Sequence, residues 1–253
     1  MIHKIGITIE ARMGSSRLPG KTLKLLAGKP MLERIIERLK RVKLADQIIV
    51  ATTTSPDDLP IVDLAKKLGV GYYQGDEEDV LDRVLQAAKK YGIDIIVETC
   101  GDCPVIDPQL LDLEIATFLN NDYDYVGCHL KKTWPIGIDA KLFTTRTLEQ
   151  VAVKTNAPAD RENVSLYIYE HPDEFKIHNI EATGRRNRPD MRLVVDHQAD
   201  FDLIEIIFKK MQKINNEFDY SDLLNLFENN PELININKDV INIAVAGREN
   251  NEN

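Results

Sequence analysis

Three cations, Arg12, Arg17 and Lys21, fall within ten residues of a stretch that also holds Gly14, Ser15, Ser16 and Gly20. Glycine lets backbone N–H groups close on a phosphate, and Arg and Lys neutralise its charge. Further along, Asp102 lies between Gly101 and Cys103-Pro104, and Asp196 ends the apolar run Leu193-Val194-Val195. Two carboxylates held this way can share one Mg2+, an ion that keeps waters and takes phosphate oxygens as well. Each feature also has a plainer reading. The loop is then a solvated basic turn, and each Asp a helix cap or turn former. Asp200 and Asp202 follow Asp196 closely and are able to stand in for it. His197 reads as structural or exposed.

These residues need elements that hold them. Residues 4–10 alternate Ile5, Ile7 and Ile9 and predict a strand that ends just before the basic loop. Pro30 suits the start of a helix over 31–42, whose apolar residues recur at helical spacing. Residues 47–51 predict a second buried strand, 57–68 and 79–91 two helices, and 93–99 a third strand ending before Gly101. This order argues for an α/β fold with a mostly parallel sheet and crossover helices. Such sheets bind ligands at the carboxyl ends of their strands, which selects the segments after residues 10, 51 and 99.

The second half is less regular. Strands are expected at 123–127 and 174–180, helices at 160–170 and 200–213, and one more buried strand at 191–195. The Asn-rich stretch 215–242 still carries Phe227, Leu233, Ile234 and Ile236, so packing is expected there. The elements imply a single domain over 1–245 whose pattern changes at about residue 110. A polar tail, 246–253, follows.

The whole chain narrows the function classes. It has 253 residues, 43% hydrophobic and 29% charged, as expected of a globular protein able to bury a full core. The N-terminus has no signal-peptide pattern and no apolar run approaches a membrane span, so the cytoplasm is the expected compartment and no membrane partner is expected. A net charge of −9 argues against nucleic acid as a partner. A nucleotide would need a local basic cluster. Cys100 and Cys103 form a C-x-x-C, but three cysteines supply no second pair for a zinc site. A P-loop also fails. Five residues separate Gly14 from Gly20 where that signature has four, and Gly28 and Pro30 interrupt the chain before any helix starts.

The loop Ala11-Arg12-Met13-Gly14-Ser15-Ser16-Arg17-Leu18-Pro19-Gly20-Lys21 resembles the nucleotide-binding signature of the CMP-sugar synthetases. These are the acylneuraminate and 3-deoxy-octulosonate cytidylyltransferases, together with the shorter spore-coat-polysaccharide (SpsF-like) enzymes. Val50-Ala51-Thr52-Thr53-Thr54, Asp79-Val80-Leu81-Asp82-Arg83, Gly101-Asp102-Cys103-Pro104, Asp160-Arg161-Glu162 and Val195-Asp196 extend the resemblance to about residue 208. It implies a Rossmann-like fold of the nucleotide-diphospho-sugar transferase type, CTP as donor, a small sugar-like acceptor, Mg2+ and a homodimer. It also implies that about 1–110 is a nucleotide-binding part and about 111–245 an acceptor and dimerisation part. It implies catalytic roles for Arg12, Lys21 and Asp102. Nucleotide contacts are implied for Ala11, Arg12, Gly14, Ser15, Arg17, Lys21, Thr52, Asp79, Arg83 and Gly101. Acceptor contacts fall to Asp139 and Arg161, and the metal to Asp102 and Asp196.

One segment departs from the pattern. Relatives carry Pro-Asp-Gly-x-Asp-x-Glu where this chain has Pro135-Ile136-Gly137-Ile138-Asp139-Ala140-Lys141, so of three acids only Asp139 remains. The acceptor then differs from theirs or carries more negative charge. A sugar-1-phosphate nucleotidylyltransferase using another nucleotide is a rival, although Gly14-Ser15-Ser16-Arg17 lacks its first glycine pair. A non-catalytic nucleotide-binding protein is the rival from another class. No general base is identifiable from the residues.

Overall fold

A computed structural model describes residues 3–240. The strand β1 (Ile5–Glu10) runs through the middle of the molecule with Ile5, Ile7 and Ile9 buried. A two-residue hairpin, β2 (Leu25–Leu26) and β3 (Lys29–Pro30), separates the basic loop from α1 (Met31–Leu39). Its turn places Ala27 and Gly28 at positive φ, the backbone that a tight two-residue hairpin demands. The hairpin is why Lys21 opens only a short 3-10 turn and not the long helix of a P-loop.

Next come β4 (Gln47–Thr53), α2 (Leu59–Lys67), β5 (Gly71–Gly75), α3 (Val80–Tyr91) and β6 (Ile95–Cys100). The second half supplies α4 (Pro108–Leu119), β7 (Tyr125–Gly127), β8 (Lys141–Thr144), α5 (Thr145–Lys154), α6 (Pro158–Glu162), α7 (Leu166–Glu170), β9 (Ile177–Asn179), α8 (Gln198–Met211) and α9 (Tyr220–Asn229). The main sheet runs β5-β4-β1-β6-β8-β7-β9. Pairing is parallel from β5 through β4 and β1 to β6, while β8 is antiparallel to both its neighbours. The expected α/β fold with a mostly parallel sheet is therefore present. Two apolar clusters flank the sheet. One includes Ile35, Leu111, Ile204 and Leu223 from α1, α4, α8 and α9, and the other Leu81, Leu148 and Ile168 from α3, α5 and α7. Phe227 and Leu233 are buried, so the Asn-rich stretch packs as expected. The tail 246–253 lies outside the described residues.

One expected strand is corrected. Met191, Leu193, Val194 and Val195 are buried, but the segment is not part of the main sheet. Their pairing is an isolated bridge between Ile136 and Arg192, plus bonds from Leu193 N to Ile136 O and from Val195 N to Asp102 O. The segment is apolar because it is buried, yet it crosses the rim of the sheet where no neighbouring strand continues.

Candidate active site

The carboxyl ends of β1 and β6 lie side by side, with Glu10 opposite Cys100. There two backbones approach closely. Gly101 N–H donates to Glu10 O at 2.8 Å, and a Cβ on Gly101 would stand 2.7 Å from that same oxygen. Only glycine fits. Asp102 follows and is turned out over the rim. Val195 N–H donates to Asp102 O at 2.8 Å, which fixes Asp196 beside it.

The basic loop is anchored from beneath by Asp58, which is buried. Its carboxylate accepts from Met13 N–H at 2.7 Å, from the Thr52 hydroxyl at 3.2 Å and from the Thr53 hydroxyl at 2.5 Å. Gly20 adopts φ 70°, and the Thr22 hydroxyl donates to Arg12 O at 2.7 Å. This brings Lys21 back over the sheet. Its ammonium donates to Asp102 Oδ2 at 3.0 Å, to Asp196 Oδ1 at 3.1 Å and to Val195 O at 2.7 Å. Burial alone lowers the Lys21 pKa, but the two carboxylates outweigh it and the net shift is upward. Burial likewise raises Asp196, but Lys21 and Arg17 more than offset this and hold it at about 2. Arg17 donates to Asp196 at 2.8 Å, and Arg192 donates to it at 3.0 Å.

These groups border a cleft of about 620 Å³, a size suited to a nucleotide. Of the residues singled out from the sequence, Ala11, Arg12, Gly14, Ser15, Arg17, Lys21, Arg83, Gly101, Asp102 and Asp196 line it. Arg83 is committed to its own chain: its guanidinium donates to the carbonyls of Asp76 and Glu77. Arg12 reaches Glu77 at 3.3 Å in an exposed pair. Asp79 and Arg161 pair with each other and line an adjoining cavity of about 750 Å³, which shares Arg12, Glu77, Val80 and Glu162 with the first. Asp79 also caps α3.

Two other expected contacts line neither cavity. Thr52 is fully buried and spends its hydroxyl on Asp58, so it steadies the loop from below. Asp139 lies with Glu114 and Cys128 in a separate group, where burial pushes its carboxyl up to about 6. The candidate stand-ins for Asp196 have partners of their own. Asp200 is fully buried and accepts from Arg192, from the N–H groups of Asp196 and His197 and from Asn237. Asp202 accepts from Gln198. His197 caps α8. All three cysteines are free, and the Cys103 thiol faces Asp102 Oδ1 at 3.5 Å.

Reasoning from sequence missed Glu10, Glu77 and Asn163, which also line the cleft beside Glu162 of the Asp160-Arg161-Glu162 motif. Glu10 was the one with a signal, a carboxylate closing the strand directly before the loop. Its Oε1 is buried with no hydrogen-bond partner among the described residues. Burial, then Glu98, pushes its pKa up to about 8.

The donor set fits a divalent cation. Two carboxylate oxygens already converge on one cation, the Lys21 ammonium, and a pair of carboxylate oxygens is the ligand type Mg2+ takes. A mostly parallel sheet, a basic loop after β1 and two carboxylates across the rim are the parts a nucleotidyltransferase site needs. Comparison with known proteins then narrows the class. A family model described as cytidylyltransferase matches residues 6–233. An uncharacterised protein of Methanocaldococcus jannaschii is 39% identical over 93% of this chain and 95% of its own length. The spore coat polysaccharide biosynthesis protein SpsF of Bacillus subtilis is 29% identical over 91% and 97%. A solved cytidylyltransferase structure from Leptospira borgpetersenii superposes with a TM-score of 0.88 at 33% identity, covering 96% of this chain and all of that one. The chain belongs to the cytidylyltransferase family. Among the described residues no helix is long and apolar enough to cross a membrane.

Proposed function

We propose that this enzyme transfers a cytidylyl group from CTP to a sugar acid, or a related hydroxylated or phosphorylated acceptor, for the synthesis of a surface glycan. The observation that carries the reading is the convergence of Lys21, Asp102 and Asp196 at the mouth of the basic loop. An acceptor oxygen attacks the α-phosphorus, the α–β phosphoanhydride bond breaks and pyrophosphate leaves. The chain works by positioning and by charge, with no covalent nucleophile. Arg12, Arg17 and Lys21 neutralise the triphosphate and the departing pyrophosphate. Asp102 and Asp196 would hold Mg2+, which supplies Lewis-acid polarisation at the α-phosphate when bound. Arg161 faces the acceptor from the adjoining cavity.

The kinship with a spore coat polysaccharide protein supports a glycan product. We place the enzyme in the cytoplasm, where nucleoside triphosphates are available, and expect a C2 homodimer, the commonest soluble assembly. Sedimentation showing monomer alone at micromolar concentration would refute the dimer. Pyrophosphate release with CTP, Mg2+ and a panel of sugar acids and sugar phosphates tests the reaction. Release with one acceptor class supports it. Release with UTP or GTP and a sugar 1-phosphate would move the enzyme to another branch of the nucleotidylyltransferases.

A further inference from the structure

The Lys21 ammonium stands where a divalent cation would stand. It lies between Asp102 Oδ2 and Asp196 Oδ1, and its third bond goes to Val195 O. An ammonium has three N–H donors, so all three are used. Its side chain is 13% exposed, against 38% for Arg17 and 42% for Arg12. The other two loop cations are more exposed, Arg17 reaching Asp196 from the solvent side, and of the three only Lys21 bonds both carboxylates. Mg2+ takes oxygens at about 2.0–2.1 Å. It cannot share these two oxygens with a bound ammonium without a like-charge contact.

The backbone offers no way out. Lys21 N–H donates to Leu18 O, Lys24 N–H returns to Lys21 O, and Thr22 is tied to Arg12. The side chain alone must swing, and the cleft lined by Gly14, Ser15 and Arg17 is the open direction. The carboxylates tolerate the change unequally. Asp196 keeps Arg17 and Arg192. Asp102 keeps only the Cys103 thiol among the described residues, so an empty site without Lys21 would leave it nearly uncompensated.

We propose that Lys21 is the resident counter-cation of the metal site, displaced when a divalent ion and a triphosphate arrive together. This rests on the reading of the cleft as a metal–nucleotide site. A free ion must compete with a tethered ammonium that has nowhere better to go. The triphosphate gives the displaced ammonium a new anionic partner, so each ligand makes room for the other. Their binding is positively coupled, and the coupling must be reciprocal. The enzyme then takes up the metal–nucleotide complex and holds little free metal between turnovers.

The test uses Mn2+ as the probe, with free ion counted by electron paramagnetic resonance, in wild type, Lys21→Met and Lys21→Gln, each with and without CTP. In wild type, saturating CTP should tighten Mn2+ by about tenfold or more. In the Lys21 variants, Mn2+ alone should bind several-fold tighter than to wild type, and the gain from CTP should shrink toward none. Adding Asp102→Asn to Lys21→Met should abolish the tighter binding, which places the ion at this site. Unchanged or weaker Mn2+ affinity in whichever Lys21 variants melt like wild type would overturn the proposal. So would tight binding that survives Asp102→Asn. The nucleotide-free arm is independent of the donor. If wild type binds Mn2+ but CTP does not bind, the CTP reading fails, while the Lys21 comparison still decides the displacement.

Discussion

Val195 N–H donates to the carbonyl oxygen of Asp102 at 2.8 Å. Residues far apart in sequence are thereby stitched at the rim of the sheet, and the two candidate metal carboxylates come to share one cation. The bond is between backbone atoms, so changing either carboxylate leaves the scaffold in place. Asp102→Asn keeps the size and capping ability of the side chain and removes its charge. Turnover should collapse while the melting temperature moves little, since Lys21 retains Asp196 and Val195 O. Full activity at limiting Mg2+ would mean that Asp102 is only a turn former.

Lys21→Ala and Arg17→Ala should each reduce CTP affinity or turnover about ten- to a hundredfold, the range of one lost charge-assisted contact at about 1.5–3 kcal/mol. Both side chains belong to a polar loop, so folding should survive. Steady-state kinetics on the two variants, with circular dichroism as the folding control, checks this. Unchanged kinetics in both would return the loop to a solvated turn.

Asp58 does not touch the cleft, yet it holds the loop above and Thr52 and Thr53 below. Asp58→Ala strands those donors in a buried position, at a cost of about 1–3 kcal/mol. Chemical denaturation should show that loss, and isothermal titration should show weaker CTP binding beside it. A stable variant with normal binding would show that the loop is positioned by other contacts.

Glu10 makes the pH prediction. Burial and Glu98 raise its folded pKa from the ordinary 4.5 to about 8. A raised carboxyl favours the fold while protonated. Its contribution is full below pH 4.5 and is lost as the pH rises toward about 8. Glu10→Gln mimics the protonated form and escapes that loss. Melting curves across this window should show the variant gaining on wild type with rising pH, the two converging in acid. A constant gap from acid to alkali would place the Glu10 pKa near its ordinary value.

Much of this was legible in the sequence, for reasons that also explain the gaps. β1 and β6 are apolar because both faces are covered, and their ends are marked by Glu10-Ala11-Arg12 and Gly101-Asp102. The cations of the loop and Asp102 followed from those ends, and Asp196 from the end of the apolar run Leu193-Val194-Val195. β5 escaped notice because Gly71-Tyr72-Tyr73-Gln74-Gly75 is an edge strand, half-buried at every position, with no alternation to find. β8 and α5 meet at Thr144, whose hydroxyl caps the helix, so apolar periodicity switches inside a few residues. α4 opens on Pro108 behind its cap Asp107, a start signal in the stretch from Asp102 to residue 123, for which the sequence reading names no element. Thr52 and Thr53 announced a polar strand end, but not that Asp58 would claim both hydroxyls. Arg83, expected as a nucleotide contact, does line the cleft but is buried against the carbonyls of Asp76 and Glu77. Partners brought in by tertiary contact leave no local pattern.

The claim that CTP is the donor is tested most directly by nucleotide-dependent thermal stabilisation, which requires no knowledge of the acceptor. A ligand that binds only the folded state raises stability by about 2.7 kcal/mol at a hundredfold excess over its Kd. The melting temperature is measured with Mg2+ and each of CTP, UTP, GTP and ATP at equal concentration. CTP should raise it by several degrees and by clearly more than the other three. Equal shifts for all four nucleotides, or a larger shift with another, would contradict the assignment.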